Sequence, residues 1–147
     1  MGALFWGLLL VVAIFAGNLM LLRPSAHEQR LGRQRDYARA KGLQVVLRAA
    51  PQWLGVRPGA GMVAQYALPL TAPLRVAGRR RWHEGLSNWQ PVEQPEAWAR
   101  DMPLPSPPPA GWLGLQADAD RVVVYCREDG DTAAVDQLLA ALNDLRA

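Results

Sequence analysis

The sequence predicts an α+β protein: an N-terminal transmembrane helix and a juxtamembrane helix, followed by a small antiparallel sheet with a C-terminal packing helix. Three stretches carry this reading. Gly2 to Leu22 contains no charged side chain and only one strongly polar one, Asn18. Trp112–Ala117 and Arg121–Arg127 alternate like two strands around the turn Asp118-Ala119-Asp120. Val135, Leu138, Leu139, Leu142 and Leu145 fall at the i, i+3, i+4, i+7, i+10 spacing of one apolar helix face.

The first stretch is the length of a bilayer's hydrocarbon core, roughly 30 Å at about 1.5 Å per residue. A helix in a water-soluble core would present a polar face, and this one has none. Its charge follows the apolar run instead of preceding it, and Ala13-Ile14-Phe15-Ala16 is not an Ala-x-Ala site in register, so residues 1–22 read as an uncleaved anchor. Gly2 lacks a Ser or Thr at position six, so no myristoylation signal is present. Gly2, Gly7, and the Ala13-x-x-x-Gly17 pair offer small residues on which a second membrane helix can approach closely.

Residues 23–42 follow as a basic juxtamembrane helix. Ser25 and Glu28 have the capping-box spacing, and Gly42 after Lys41 suits a helix stop. Six basic residues between Arg23 and Lys41 stand against Glu28 and Asp36, and this excess places the flank on the cytoplasmic side. The expected topology is single-pass in a bacterial inner membrane, with the N-terminus outside and the C-terminal domain cytoplasmic. Arg30, Arg33 and Arg35 are expected near anionic lipid headgroups. The apolar stripe is weak, which favours a helix standing off the domain as a stalk.

The pI near 9.6 does not point to nucleic acid. Residues 42–147 hold ten arginines and eleven acidic side chains, so the basic excess belongs to the membrane flank. A single cysteine, Cys126, excludes an intramolecular disulfide framework and agrees with a reducing compartment.

Residues 43–147 form the predicted soluble α+β domain of about five strands. Leu43–Arg48 is the first, stopped by Pro51, with Trp53 and Leu54 packing back on the core. Met62–Leu70 and Leu74–Trp82 are expected to pair as an antiparallel hairpin, with Gly78 marking a bulge or an edge. Pro95–Arg100 suits a helical turn, and the proline-rich segment 103–109 must be extended, a stiff spacer over the domain surface. Asp131 is the expected N-cap of the last helix.

Chemistry-bearing motifs are scarce. Cys126 lies on a valine face and reads as a core thiol; His27 and His83 have no neighbour at metal-ligand spacing, so no metal or cofactor is expected. No Gly-x-Ser-x-Gly, phosphate loop or dinucleotide fingerprint occurs, and Gly59-Ala60-Gly61 is a turn. Arg79, Arg80, Arg81 and Trp82 form the strongest candidate for binding a partner, through guanidinium forks or simply as a charged strand edge that resists aggregation. Trp53, Trp82, Trp89, Trp98 and Trp112 are too many to bury in so small a core, so one or two are expected at a partner surface.

An uncharged N-terminal span, Arg23-Pro24 at its end, a charged juxtamembrane helix and then Lys41-Gly42-Leu43-Gln44-Val45 at the start of a β domain make the first 45 or so residues resemble the YajC family. These are small single-span accessory subunits of the bacterial Sec preprotein translocase. In that family an acidic residue follows the glycine and a Thr-x-Gly-Gly segment comes soon after, where this chain has Leu43 and Ala49-Ala50-Pro51. The resemblance implies association with the SecD–SecF complex and no catalysis. The expected function is therefore a single-span inner-membrane scaffold or accessory subunit of a membrane protein complex, not an enzyme. The alternative is a membrane-tethered enzyme with a site assembled from scattered groups such as His83, Glu84 and Asp101.

Overall fold

A computed structural model describes residues 2–72, 78–93 and 104–146 of the chain, so the helical turn expected at Pro95–Arg100, the start of the third expected strand at Leu74, Trp98, Asp101 and Pro103 lie outside the described residues. The architecture is α+β, as the patterning predicts: an apolar helix, a second helix, a six-stranded antiparallel sheet and a C-terminal helix.

Helix α1 (Gly2–Leu21) is long and apolar enough to cross a membrane, and none of its residues is buried against the rest of the chain. Helix α2 (Ala26–Ala40) begins at the expected capping box: Ser25 Oγ accepts from the Glu28 N–H at 3.1 Å, and Glu28 returns a carboxylate oxygen to the Ser25 N–H at 2.8 Å. It ends at Gly42, whose φ of +92° a side chain would strain.

The stalk expected for α2 is not what the structure has: the second half of the helix lies on the domain. Ala38 is fully buried, and Gln34 Oε1, also buried, accepts from the Gly130 N–H at 2.8 Å. Gly130 has φ +84°, and a Cβ there would stand 2.9 Å from the Arg30 Cβ, so the turn touches the helix closely because it is glycine. The stripe looked weak in sequence because alanine and glutamine, not large aliphatics, fill this contact.

The strands are β1 (Gln44–Ala49), β2 (Met62–Pro69), β3 (Gly78–His83), β4 (Asn88–Pro91), β5 (Trp112–Ala117) and β6 (Arg121–Cys126). Their order is β1-β2-β6-β5-β3-β4, every neighbour antiparallel. This corrects the hairpin predicted for the second and third strands. β2 pairs with β1 and β6, whereas β3 pairs with β5 and β4, so two strands separate them. β3 is thus interior rather than an edge, and the bulge lies in β5 between Trp112 and Gly114 instead of at Gly78. The sixth strand, β4, is too short to show a pattern of its own.

Two hydrophobic layers cover the sheet. Helix α3 (Thr132–Arg146), capped by Asp131 accepting from the Ala133 N–H at 2.9 Å, buries Val135, Leu138, Leu142 and Leu145 against one face. Each such side chain contributes about 1.5–3 kcal/mol of burial. Tyr66, Leu115, Trp112, Val122, Val124 and Cys126 meet the helix from the sheet. On the outer face a 3-10 turn, Gln52–Leu54, lays Leu54 and Trp53 against Val63, Val123 and Tyr125. The strand expected at Leu43–Arg48 and the return of Trp53 and Leu54 to the core are both present.

One polar cluster ties α2 to the sheet. The Glu128 side chain, 5% exposed, accepts from Arg35 Nε at 2.9 Å and from the Tyr66 hydroxyl at 2.6 Å. The Glu128 carboxylate in turn raises the Arg35 pKa through that hydrogen bond. Replacing Glu128 with Ala leaves the buried Tyr66 phenol without its acceptor and the partly exposed Arg35 guanidinium without its ion pair, and breaking a fully buried pair costs about 3–5 kcal/mol, an upper bound here. Urea unfolding of Glu128→Ala is expected to lose about 2 kcal/mol, and a loss below about 1 kcal/mol would mean the cluster is effectively solvated.

Candidate functional site

The pleat of β3 divides the tetrad Arg79-Arg80-Arg81-Trp82 between the two faces of the sheet. Arg80 stands opposite Leu115, and Trp82 opposite Trp89, on the helix side. Arg79 stands opposite Gln116 and Arg81 opposite Gly114, on the outer side. Four residues adjacent in sequence are therefore two pairs in space, which is the period of a strand.

On the helix side the tryptophans form a ladder. Trp82 and Trp89 are 5.5 Å apart between ring centroids and Trp89 and Trp112 are 6.5 Å apart, all edge-on. Trp89 Nε1 donates to the Pro105 carbonyl at 2.9 Å, and Leu104 packs on the core, so this part of the proline-rich segment is held against the domain. Burial beside this ladder lowers the pKa of Arg80. Among the described residues of the domain, Trp112 is buried and Trp53, Trp82 and Trp89 are half-buried, held by the cross-strand ladder and by the contact of Trp53 with Tyr125.

The outer face is cationic. The Arg79 guanidinium lies 6.0 Å from the Trp53 ring and is ion-paired with Glu93. Trp53 stacks edge-on with Tyr125 at 5.1 Å. The Tyr125 hydroxyl donates to Gln116 Oε1 at 3.0 Å, Gln116 Nε2 donates to the Asp118 carboxylate at 3.0 Å, and Arg121 reaches the same carboxylate at 3.4 Å. Arg79, Trp53, Tyr125, Gln116 and Arg121, with Arg48, rim an open hollow of about 470 Å³ above Ala67 and Val123, and Gln44 and Gln65 also line it. Gly114 lets the 3-10 turn approach: a Cβ there would meet Leu54 at 2.5 Å and Trp53 and the Arg80 carbonyl at 2.9 Å. Past that turn, Arg81, His83, Glu84 and Arg127 line a second cleft of about 390 Å³.

Sequence reasoning missed Arg48, Arg121, Arg127 and Tyr125 as members of this surface. Their odd or even places along β1 and β6 are readable, but pairing of distant strands brings them together. Of the arginines expected near headgroups, Arg30 and Arg33 are exposed on α2, while Arg35 is held by Glu128. His83 Nδ1 accepts from the Leu86 N–H at 3.2 Å and caps a 3-10 turn, and Glu84 is exposed beside it. Among the described residues no group of three His, Cys, Asp or Glu side chains is placed to hold a metal.

No family model matches the chain, and neither a curated protein nor a solved structure is significantly similar to it.

Cys126 is the core thiol its valine face predicts. Burial, then the charges of Glu128 and Asp129, push its pKa up. Burial also raises Tyr66, helped by its hydrogen bond to Glu128, and raises Tyr125 beside Asp118. All three are acids whose folded pKa lies above the unfolded one, so the native state keeps protons that the unfolded chain releases. Their stabilisation is full below the ordinary thiol value of 9.0 and is lost as pH rises past that value and then past the phenol value of 10.0. Urea midpoints are expected to hold from about pH 7 to 8 and to decline above about 9, each group adding a slope near 1.4 kcal/mol per pH unit. Cys126→Val should move that onset towards the phenol range; an unchanged onset would show that the thiol does not set it.

Proposed function

We propose that this chain is a single-span inner-membrane scaffold or accessory subunit of a membrane protein complex, with a Sec-type preprotein translocase, through SecD–SecF, the most concrete candidate. The observation that carries the reading is the pairing of an apolar helix with no residue buried against the chain and a domain whose outer sheet face is open and cationic. A 20-residue helix of this composition has no solvated state that hides its surface, so the bilayer is the environment that suits it. The basic flank orients the domain towards the cytoplasm, with Arg30 and Arg33 at the level of lipid headgroups.

The contact surface on this reading is the outer half of the β3 tetrad, Arg79 and Arg81, rather than all four residues. Arg80 and Trp82 serve the helix-side packing and support the strand from behind. A tethered enzyme built on His83 and Glu84 is the weaker reading, since His83 Nδ1 already caps a turn and His83 has no carboxylate hydrogen-bond partner among the described residues.

The test is a mild-detergent pull-down of the full-length chain from its own membranes, combined with the intact mass of the recovered protein. Recovery of SecD and SecF, weakened several-fold by Arg79→Ser with Arg81→Ser while the unfolding midpoint is kept, is the expected result. A mature chain lacking residues 2–21 would identify a cleaved signal and overturn the anchor. Full recovery by the double variant would remove the arginines from the contact.

A further inference from the structure

We infer that the hollow on the outer sheet face and the open edge of β1 beside it take an extended acidic segment of a partner protein, added to the sheet as a further strand. This rests on the reading above that the outer face meets a partner, and it names the chemistry of that partner.

The sheet has two outer strands, and they differ. β4 has four residues and ends at Pro91, which cannot donate to a new strand. β1 runs six consecutive rungs with β2, from Gln44 opposite Ala67 to Ala49 opposite Met62, without proline, glycine or bulge. Its other side has no strand partner among the described residues, so its outward N–H and C=O groups are a template for pairing. Val46 and Leu47 on this strand are 42% and 37% exposed, apolar area that a neighbouring strand would cover.

Side chains next to that edge decide what kind of strand fits. Gln44, Val46 and Arg48 project to the outer face, and the row running inward from Gln44 continues through Ala67, Val123 and Gln116 to Arg79. Alanine at the second place of this row leaves the hollow. Three guanidiniums, those of Arg48, Arg79 and Arg121, stand around it. Two carboxylates, Glu93 and Asp118, answer two of them, and Arg48 has no ion pair among the described residues. The strand register puts Arg48, Arg79 and Arg121 on the same face as Val123 and Tyr125, where all three line the hollow. The surface therefore has a cationic excess with amide donors from Gln44 and Gln65, the complement of a carboxylate.

A strand beside β1 would lie about 4.8 Å away, with alternate residues about 6.6 Å apart on the outer face. A segment alternating acidic and β-branched residues meets both demands. Its carboxylates fall beside Gln44 and Arg48, along the near rim of the hollow, and its branched side chains extend the helix-side row of Val45 and Leu47. Backbone pairing supplies affinity and the arginines supply selectivity, as in other cases of strand addition.

The probe is a fluorescein-labelled peptide of alternating Glu and Val, titrated by anisotropy into the full-length protein in neutral-detergent micelles. Expected are saturable binding, weakening between about 50 and 200 mM salt, and a loss of about tenfold in Arg48→Gln with Arg121→Gln. Arg48→Gln alone, at an exposed side chain, is the control against a folding defect and is expected to lose about threefold. N-methylation of alternate peptide residues should abolish binding in one parity and spare it in the other, since only one set of N–H groups faces β1. Tolerance of both parities would overturn strand addition. Equal binding of a lysine-for-glutamate peptide would overturn the acidic partner, and so would arginine-dependent binding to phosphatidylglycerol vesicles that excludes the peptide. A concentration-dependent dimer in sedimentation, lost in Val46→Lys, would assign the edge to a second copy and overturn the proposal too. If the peptide fails while SecD and SecF are still recovered, only this inference falls; peptide binding without that recovery removes only the translocase reading.

Discussion

Strand β6 is buried on both of its faces, and this requirement shapes the rest of the domain. Val122, Val124 and Cys126 meet the helices, while Val123 and Tyr125 meet the outer layer. An antiparallel strand open to water on one side would leave those outer residues wet. Helix α3 alone can cover only one face. The second cover is the short 3-10 turn carrying Trp53 and Leu54, which sits down on the sheet only because position 114 is glycine. The outer face is thus partly capped and partly open, and the open remainder is where the arginines gather. Function, on the reading developed above, occupies the area that the economy of a small core left uncovered.

The Arg35–Glu128–Tyr66 cluster has a different role. Burial of a carboxylate is costly unless both oxygens are engaged, and here a guanidinium and a phenol engage them. The three groups come from α2, the loop after β6 and strand β2, so the cluster fixes how the second helix crosses the sheet. Together with Gln34 on Gly130 and Tyr37 on Asp136 it makes α2 a part of the domain.

The tryptophans of the domain are organised more by contact than by depth. Of the four described ones only Trp112 is buried, and the rings are held by cross-strand stacking, by the Trp89 bond to Pro105 and by the edge contact of Trp53 with Tyr125. Half-burial satisfies an indole well, because its ring packs while its N–H keeps a polar partner. The same ladder holds Leu104 and Pro105 of the proline-rich segment against the domain beside β4.

By itself the sequence determined the local structure. Period decided the apolar helix, the last helix and the β5–β6 hairpin; capping chemistry decided where α2 starts and stops, at Ser25 with Glu28 and at Gly42. These are contacts within a few residues, and side-chain spacing encodes them directly. The tertiary structure alone decided the rest: that β2 lies against β6 instead of β3, that α2 docks, that Arg79 and Arg81 part from Arg80 and Trp82, and that Arg48 and Arg121 join them on one face. Those outcomes depend on which strands pair at long range. Apolar alternation is nearly the same for every strand here, so it does not select among neighbours; the selection comes from burying both faces of β6 at once and from satisfying the Glu128 carboxylate, conditions that exist only once the chain is folded.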